Sequence, residues 1–525
     1  MATAAYKLEI KSSLGAFCLA LLSATLLVVL LAVGNVKAIA AVVAGGLCLF
    51  AAYLSGNPRL FSLWALMLTI PFDLSKRFGP LIEKMGGESS FRVEMSDPFL
   101  LFLALYLARD IAKGKISGVR VPKVIFPYVC IMFMGVIAAI FGTWHLTPVH
   151  EVVRMIKVTF LFVVICNELV TPRRVLQCIS ALSFGVIIQA IVGLIQYFTG
   201  KRLGLEMFGE SSARTIEQLS TSSVQSEKVF RISGFLVHPN VFGVFLAALI
   251  PIAIAFLLLR TGVPHKILFS VTVLLGLPAL IGTLSRAGWL SFAVAVPLLM
   301  VILFFHPKLQ RRALLAIVAG GLAMSILLAV YSGPIFRRIF SSQEGAVLGR
   351  EEYNRDAMRM IFAQPWLGVG LNCYVFAVPP YTKYGPRSAN SIYQGWIPAV
   401  HNIYLLWFAE TGVIGFILHL IVLFWVIRIG IGNFRVRNIV MFTANAACLT
   451  AIAAFMADGM FSFSLRINSI CRIFWVLAGI MWAIRYWRLK EESEIRDVHY
   501  QTSSGSPALL GSVGGERLWT GPAHR

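Results

Sequence analysis

The sequence is short of charge. Only 13% of its 525 residues are Asp, Glu, Lys or Arg, about half the share of a soluble globular chain. Acid is the scarcer sign, with 24 Asp and Glu against 46 Lys and Arg. The eight cysteines (Cys18, Cys48, Cys130, Cys166, Cys178, Cys373, Cys448 and Cys471) are scattered. They form no CxxC pair and no Cys/His cluster at metal-ligating spacing, so no metal site or structural disulfide is expected. No internal repeat is visible, and no polar stretch reads as a separate soluble domain.

What fills the chain instead is apolar. Mean hydropathy is +0.79, and runs of about 17–25 residues recur, each able to cross a hydrocarbon core of about 30 Å. The expected fold is an all-α polytopic membrane protein of about 12–14 transmembrane helices with long outer loops. The runs predict spans at 14–33, 36–54, 60–72, 97–108, 124–141, 155–170, 176–198, 234–259, 266–283, 287–305, 313–331, 401–427, 438–457 and 470–486. Leu14–Val33 is too long for a signal-peptide core and has no clear cleavage site, so it reads as the first membrane helix.

A net charge of +22 would suggest nucleic acid in a soluble protein. Here the cations sit in short loops, so no nucleic-acid partner is expected. Arg109, Lys113, Lys115, Arg120 and Lys123 fill one loop, and Arg173 and Arg174 another. Arg260 with Lys266, then Lys308, Arg311 and Arg312, then Arg428, Arg435 and Arg437, then Arg488 and Lys490 follow. With fourteen crossings and a cytoplasmic N-terminus, all fall on the cytoplasmic side. Segments 199–233 and 332–400 then face outward. The division expected is 1–90 for N-terminal helices, 91–490 for the main membrane domain, and 491–525 for a disordered cytoplasmic tail.

The outer segments break the charge rule. Lys201, Arg202, Arg214, Lys228 and Arg231 lie in one, and Arg337, Arg338, Arg350, Arg355, Arg359, Lys383 and Arg387 in the other. Outward cations suggest an anionic ligand, and the planar Arg fork suits phosphate oxygens. The alternatives are lipid headgroups, or pairing with Glu344, Glu351, Glu352 and Asp356.

Four patterns narrow the choice. Arg231-Ile-Ser-Gly234 leads to His238-Pro239-Asn240 just inside an apolar run; intramembrane polar groups usually face a bundle interior or cavity. The other reading is a Pro kink whose freed backbone Asn240 satisfies. Ser285-Arg286-Ala-Gly288 sits between two long apolar runs. Arg286 there either snorkels to headgroups or turns inward, where small neighbours allow close packing. Gly349-Arg350 opens an amphipathic helix with Tyr353, Ala357, Met360 and Ile361 on one side, ended by Pro365 and Gly368-Val-Gly370. It is an interfacial helix, or a lid over a headgroup site. His401-Asn402 opens a long apolar helix that carries Glu410. On one straight helix His401 and Glu410 point to nearly opposite faces, so Glu410 reads as an intramembrane anchor. His401 has the proton affinity of a general base near neutral pH.

The run His401-Asn402-x-Tyr404-Leu-x-x-x-Ala-Glu410-x-Gly412-x-x-Gly415 resembles the signature of the O-antigen ligase and polymerase superfamily. The Gly349-Arg350…Pro365-x-x-Gly368-Val-Gly370 segment supports it, as do Arg231…His238-Pro239-Asn240 and Ser285-Arg286-x-Gly288 in that order. Ser96-Asp97-Pro98 is also similar, and the likeness extends over about 90–430. Tyr353-Asn354 departs from the Leu-Trp that relatives often carry.

The resemblance implies a metal-independent membrane glycosyltransferase with no cofactor. Its donor would be a glycan on undecaprenyl pyrophosphate, presented at the periplasmic face of a bacterial inner membrane. His401 would be the base or acceptor-orienting residue. Arg231 and Arg286 would hold the pyrophosphate, helped by Arg350, with Asn240 and Asn402 in support. The acceptor stays open between lipid A core, a growing glycan and a protein. Competing classes are a transporter or flippase of lipid-linked oligosaccharide, which needs ionisable residues at depth, and a non-catalytic scaffold. Only Glu410 and Glu168 read as deep.

Overall fold

The structure, a computed structural model, describes residues 46, 50–81, 87–206, 209–210, 221–224, 227–236, 238–322, 325, 344–382 and 399–503. The expected span 14–33, most of 36–54, the far part of 313–331 and the tail beyond Ser503 lie outside the described residues. So do Arg214, Arg337, Arg338, Lys383, Arg387, Cys18 and Cys48.

Helices dominate. In order they are α1 (Pro58–Thr69), α2 (Asp97–Ala112), α3 (Ile125–Phe141), α4 (Leu146–Glu168), α5 (Pro172–Thr199), α6 (Pro239–Leu257), α7 (Val263–Gly282) and α8 (Arg286–Phe304). Then come α9 (310–322), α10 (Glu344–Ala363), α11 (Ile403–Gly432), α12 (Ile439–Gly459) and α13 (Asn468–Ser503). Two short antiparallel hairpins interrupt them, Ser75–Phe78 with Phe91–Glu94 and Thr221–Val224 with Glu227–Phe230. Among the described residues seven helices are long and apolar enough to cross a membrane: α5, α6, α7, α8, α11, α12 and α13. The all-α polytopic membrane class holds.

Three boundaries differ from the sequence reading. α4 begins at Leu146, not 155, because its first turns carry His150, Glu151 and Arg154, whose polarity hides them from a hydropathy window. α13 runs on to Ser503, so the stretch expected to be disordered from 491 is helical that far. α11 is not one straight helix: Gly412, at φ 62 and ψ −169, breaks it.

Successive helices alternate in direction, and the basic loops gather at one end. Arg59 at the start of α1 binds Glu168 (2.7 Å) at the end of α4, where Arg174 also pairs with Glu168 (3.4 Å). The Arg120 guanidinium lies 5.1 Å from the Tyr486 ring on α13. Arg488 donates to the last turn of α11 (Gly432 O, 2.7 Å), and His306 meets Phe442 of α12 at 4.2 Å. We call this the basic end and the opposite one the site end.

The core centres on α6 and α12, apolar and buried on nearly every side. α6 is surrounded by α5, α7, α8 and α12. α7 and α8 keep apolar outer faces, with Leu274 70% and Val301 51% exposed, as expected of helices that meet lipid.

Candidate active site at one end of the bundle

The segment that enters α6 is held by two glutamines on one face of α5. Gln196 accepts the backbone N–H groups of Ser233 (3.2 Å) and Gly234 (3.0 Å), and Gln189 accepts that of Phe235 (2.8 Å). Gly234 has φ +58, and a Cβ there would fall 2.5 Å from the Gln189 amide oxygen, so the turn requires glycine. His238 caps α6, its Nδ1 accepting the Asn240 N–H at 3.0 Å. Pro239 is therefore at the first helical position, where a missing N–H leaves nothing unsatisfied. The sequence-based kink does not occur.

Arg231 is almost wholly buried. Its Nη2 donates to Asn240 Oδ1 (2.7 Å), and its Nε donates to the Thr283 carbonyl (3.0 Å) in the turn that precedes Arg286. Asn240 thus aims a guanidinium. In that turn Ser285 caps α8, its hydroxyl accepting the Gly288 N–H at 3.2 Å. A Cβ on Gly288 would stand 2.9 Å from the Gly243 backbone. Two glycines so let the starts of α6 and α8 touch backbone to backbone, and Arg286 sits half-buried beside them.

On α10 the amphipathic pattern resolves into a packed side and a wet one. Ala357, Met360 and Ile361 are buried, and α10 lies against α11. The other cations of the helix are neutralised locally: Arg355 pairs with Glu352 (3.0 Å), and Arg359 with Asp356 (2.7 Å). Arg350 has no such partner among the described residues. Its neighbours are Arg286 and Asp458, and loss of water followed by repulsion from Arg286 holds its guanidinium below the usual arginine range.

His401 completes the group. Its ring lies between Tyr353 of α10 (6.2 Å, 20° between planes) and Phe463 (5.3 Å, edge-on). Burial first, then the nearby Arg350 charge, lower its pKa to about 4, against a partial opposing effect from the Ala399 backbone. The imidazole is neutral across physiological pH. Its Nδ1 is buried without a hydrogen-bond partner among the described residues. The pKa of His238 is pushed to about 3 by burial, then by Arg231, His401 and Arg350.

Asn402, in contrast, is already engaged. Its Oδ1 accepts the N–H groups of Tyr404 (3.0 Å) and Leu405 (3.1 Å), and its amide donates to Met460 O (3.3 Å). It is the N-cap of α11.

The Gly412 break explains why two sequence patterns travel together. Breaking α11 leaves the Ala409 and Glu410 carbonyls and the Val413 N–H without helical partners. The segment after α10 supplies them: Val369 N–H binds Ala409 O (2.9 Å), Gly370 N–H binds Glu410 O (2.9 Å), and Pro365 O takes Val413 N–H (2.8 Å). A Cβ on Gly368 would stand 2.5 Å from the Glu410 backbone. The Pro365–Gly370 and Glu410–Gly412 patterns are two halves of one joint.

Glu410 itself is anchored, as the sequence suggested. Arg466, in the turn between α12 and α13, pairs with Glu410 (2.9 Å), approaches Glu151 (3.6 Å) and donates to Asn372 Oδ1 (3.0 Å). Arg154 closes the set by donating to Glu151 (3.0 Å). Sequence reading missed Glu151, Arg154, Arg466 and Asp458, all buried. The available signal was a lone ionisable residue inside or beside an apolar run.

All six predicted site residues therefore lie at the site end: Arg231, Arg286, Arg350 and His401 act on one another, Asn240 binds Arg231, and Asn402 caps the helix next to His401. Residues 271–420 match the family model for O-antigen ligase. Over that segment the chain is similar to the O-antigen ligase family. The match takes in Arg286, Arg350, His401, Asn402 and Glu410, and stops short of Arg231 and Asn240 on the N-terminal side. It is narrower than the likeness read over 90–430. An O-antigen ligase segment on an all-α membrane bundle supports a glycan-transferring enzyme of ligase or polymerase type. No curated protein matches the chain.

Proposed function

We propose that the protein transfers a glycan from undecaprenyl pyrophosphate to an acceptor hydroxyl. His401 is the general base or acceptor-orienting group, and Arg231, Arg286 and Arg350 bind the pyrophosphate. Asn240 keeps Arg231 aimed, and Asn402 fixes the backbone that carries His401.

The chemistry needs little else. An acceptor oxygen attacks the anomeric carbon, the bond from that carbon to the pyrophosphate oxygen breaks, and undecaprenyl pyrophosphate leaves with the electron pair. The acceptor proton passes to the neutral imidazole. Attack from the far side inverts the anomeric configuration. Fixed guanidinium groups neutralise the leaving charge in place of a metal ion.

One observation supports this reading most: Arg350 feels the Arg286 charge and acts on a neutral His401, and although Asp458 is near Arg350, no carboxylate is at salt-bridge distance from Arg286 or Arg350 among the described residues. Two cations held together call for an anion between them. The basic end carries the short Lys/Arg loops, so we assign it to the cytoplasm and the site end to the periplasm of a bacterial inner membrane.

The transporter reading gains the buried charges that the sequence hid. Four of those charges, however, are two arginines and two glutamates (Arg154, Arg466, Glu151 and Glu410) in one mutually paired knot, and Asp458 lies outside it near Arg350. A knot that neutralises itself suits an anchor better than an ion path.

The test is transfer in proteoliposomes from a lipid-pyrophosphate glycan to a panel of lipid A core, free glycan and protein acceptors. Transfer to one acceptor is expected. Movement of the donor between leaflets with no transfer to any acceptor would support the flippase instead.

A further inference from the structure

The basic end holds a second concavity, unrelated to the pyrophosphate site. It lies between the end of α6, the start of α7 and the outer side of α9. Its volume is about 580 Å³, within the roughly 300–1,000 Å³ usual for ligand sites. Three cations line it, Arg260, Lys266 and Arg312, and no carboxylate pairs with any of them among the described residues. Lys266 and Arg312 are half-buried and within electrostatic reach of each other. Their donors reach the last carbonyls of α6: Arg312 donates to Leu258 O (2.6 Å), and Lys266 donates to Leu257 O. The helix end thereby fixes two cations side by side. The Thr261 hydroxyl is buried there with no hydrogen-bond partner among the described residues. On the membrane side the wall is Leu315, Ala316 and Ala319, apolar and largely exposed.

We infer that this concavity binds the headgroup of an anionic glycerophospholipid. The phosphodiester lies against Lys266, Arg312 and Arg260, the Thr261 hydroxyl donates to a phosphate oxygen, and one acyl chain follows α9. Three cations without an acid repel one another, and a single phosphodiester relieves that repulsion while Lys266 and Arg312 keep the end of α6 capped. An adjacent apolar wall distinguishes a lipid from a free anion, because only a lipid covers both surfaces. Clustered Lys and Arg at the cytoplasmic ends of membrane helices attract anionic headgroups on general electrostatic grounds. The walls and the unpartnered hydroxyl make this cluster a defined site.

The experiment uses the full chain purified in neutral detergent, with native mass spectrometry and thermal unfolding as readouts. Phosphatidylglycerol is the probe, with phosphatidylethanolamine and inorganic phosphate as comparisons. Wild type should retain one phosphatidylglycerol and unfold at higher temperature when it is added. Lys266→Gln/Arg312→Gln keeps polar caps but removes both charges, and should lower retention at least tenfold and abolish the thermal shift. Arg260→Gln touches no helix cap, so it should fold normally and still weaken retention, which covers the case in which the double variant fails to fold. Equal retention of the two lipids by wild type, undiminished retention in Arg260→Gln, or the same thermal shift from inorganic phosphate would each overturn the assignment.

Discussion

The chain uses arginine in two ways, and the contrast between them organises the molecule. In the interior knot Arg154 and Arg466 are paired with Glu151 and Glu410, and every charge is answered. At the site end Arg350 feels the charges of Arg286 and Asp458, while Arg231 donates to an amide and a carbonyl. Arg154 and Arg466 are buried in close salt bridges with carboxylates, whereas Arg286 and Arg350 are more exposed and make no salt bridge among the described residues. A paired guanidinium locks chain segments together; one with no carboxylate at salt-bridge distance keeps its charge for something that arrives.

That contrast breaks first where the knot is cut. Arg466→Leu leaves the buried Glu410 carboxylate without its cation while Glu151 keeps Arg154, a change that costs about 3–5 kcal/mol in other buried pairs. The expected outcome is loss of folded protein from the membrane, measured by detergent-extracted monomer on size exclusion. Normal yield would mean that the knot carries no structural weight.

His401→Ala should leave folding intact and lower transfer by about 10²–10⁴-fold, the usual contribution of a positioned acid or base. Steady-state transfer rates on reconstituted protein check this. Arg286→Lys keeps the charge but loses the fork, and transfer should fall by about 100-fold, as when one fixed donor to a developing anion is removed. Arg355→Gln is the control on the same helix as Arg350. Its salt bridge with Glu352 is exposed, so transfer should change by less than about twofold. A large loss there would erase the distinction between neutralised and unneutralised cations on α10.

The pH profile is the finest probe. Burial and Arg350 disfavour the imidazolium, so in the free protein His401 protonates only as pH falls through about 4. The acid limb of kcat/KM should lie near that value. Bound pyrophosphate adds negative charge and favours the imidazolium, so the acid limb of kcat should lie at higher pH. Coincident limbs near the ordinary histidine value would mean that His401 is not the titrating group.

Much of this was legible in the sequence because lipid imposes long apolar runs, and those runs set the fold class and the order of the helices; of the expected 12–14 spans, seven helices among the described residues are long and apolar enough to cross a membrane. Arg231, Arg286, Arg350 and His401 were legible for the complementary reason: cations outside the basic loops have no topological excuse. The way Asn402 supports the site was not legible, because a polar residue that opens a helix looks the same whether it caps the backbone or contacts a ligand. Glu151 and Arg154 were hidden because they pair with each other one turn apart in a helix whose polar start a hydropathy average discards, and Arg466 because its partners lie elsewhere in the chain. The Gly412 break was hidden for a related reason. Its stabilising partner, Pro365–Gly370, lies on a separate segment, so the two patterns stand in the sequence without any sign that they meet. Tyr353, which departs from the family pattern, proved to stack on His401.

The central claim is that donor binding and proton transfer belong to different side chains of one site. It is tested most directly by titrating a short-chain lipid pyrophosphate into wild type, Arg286→Gln and His401→Ala by calorimetry, with transfer measured on the same samples. The account predicts that Kd rises at least about tenfold in Arg286→Gln, the loss of one charge-assisted contact. In His401→Ala, Kd should hold and transfer should vanish. Unchanged Kd in Arg286→Gln, or surviving transfer in His401→Ala, would contradict it.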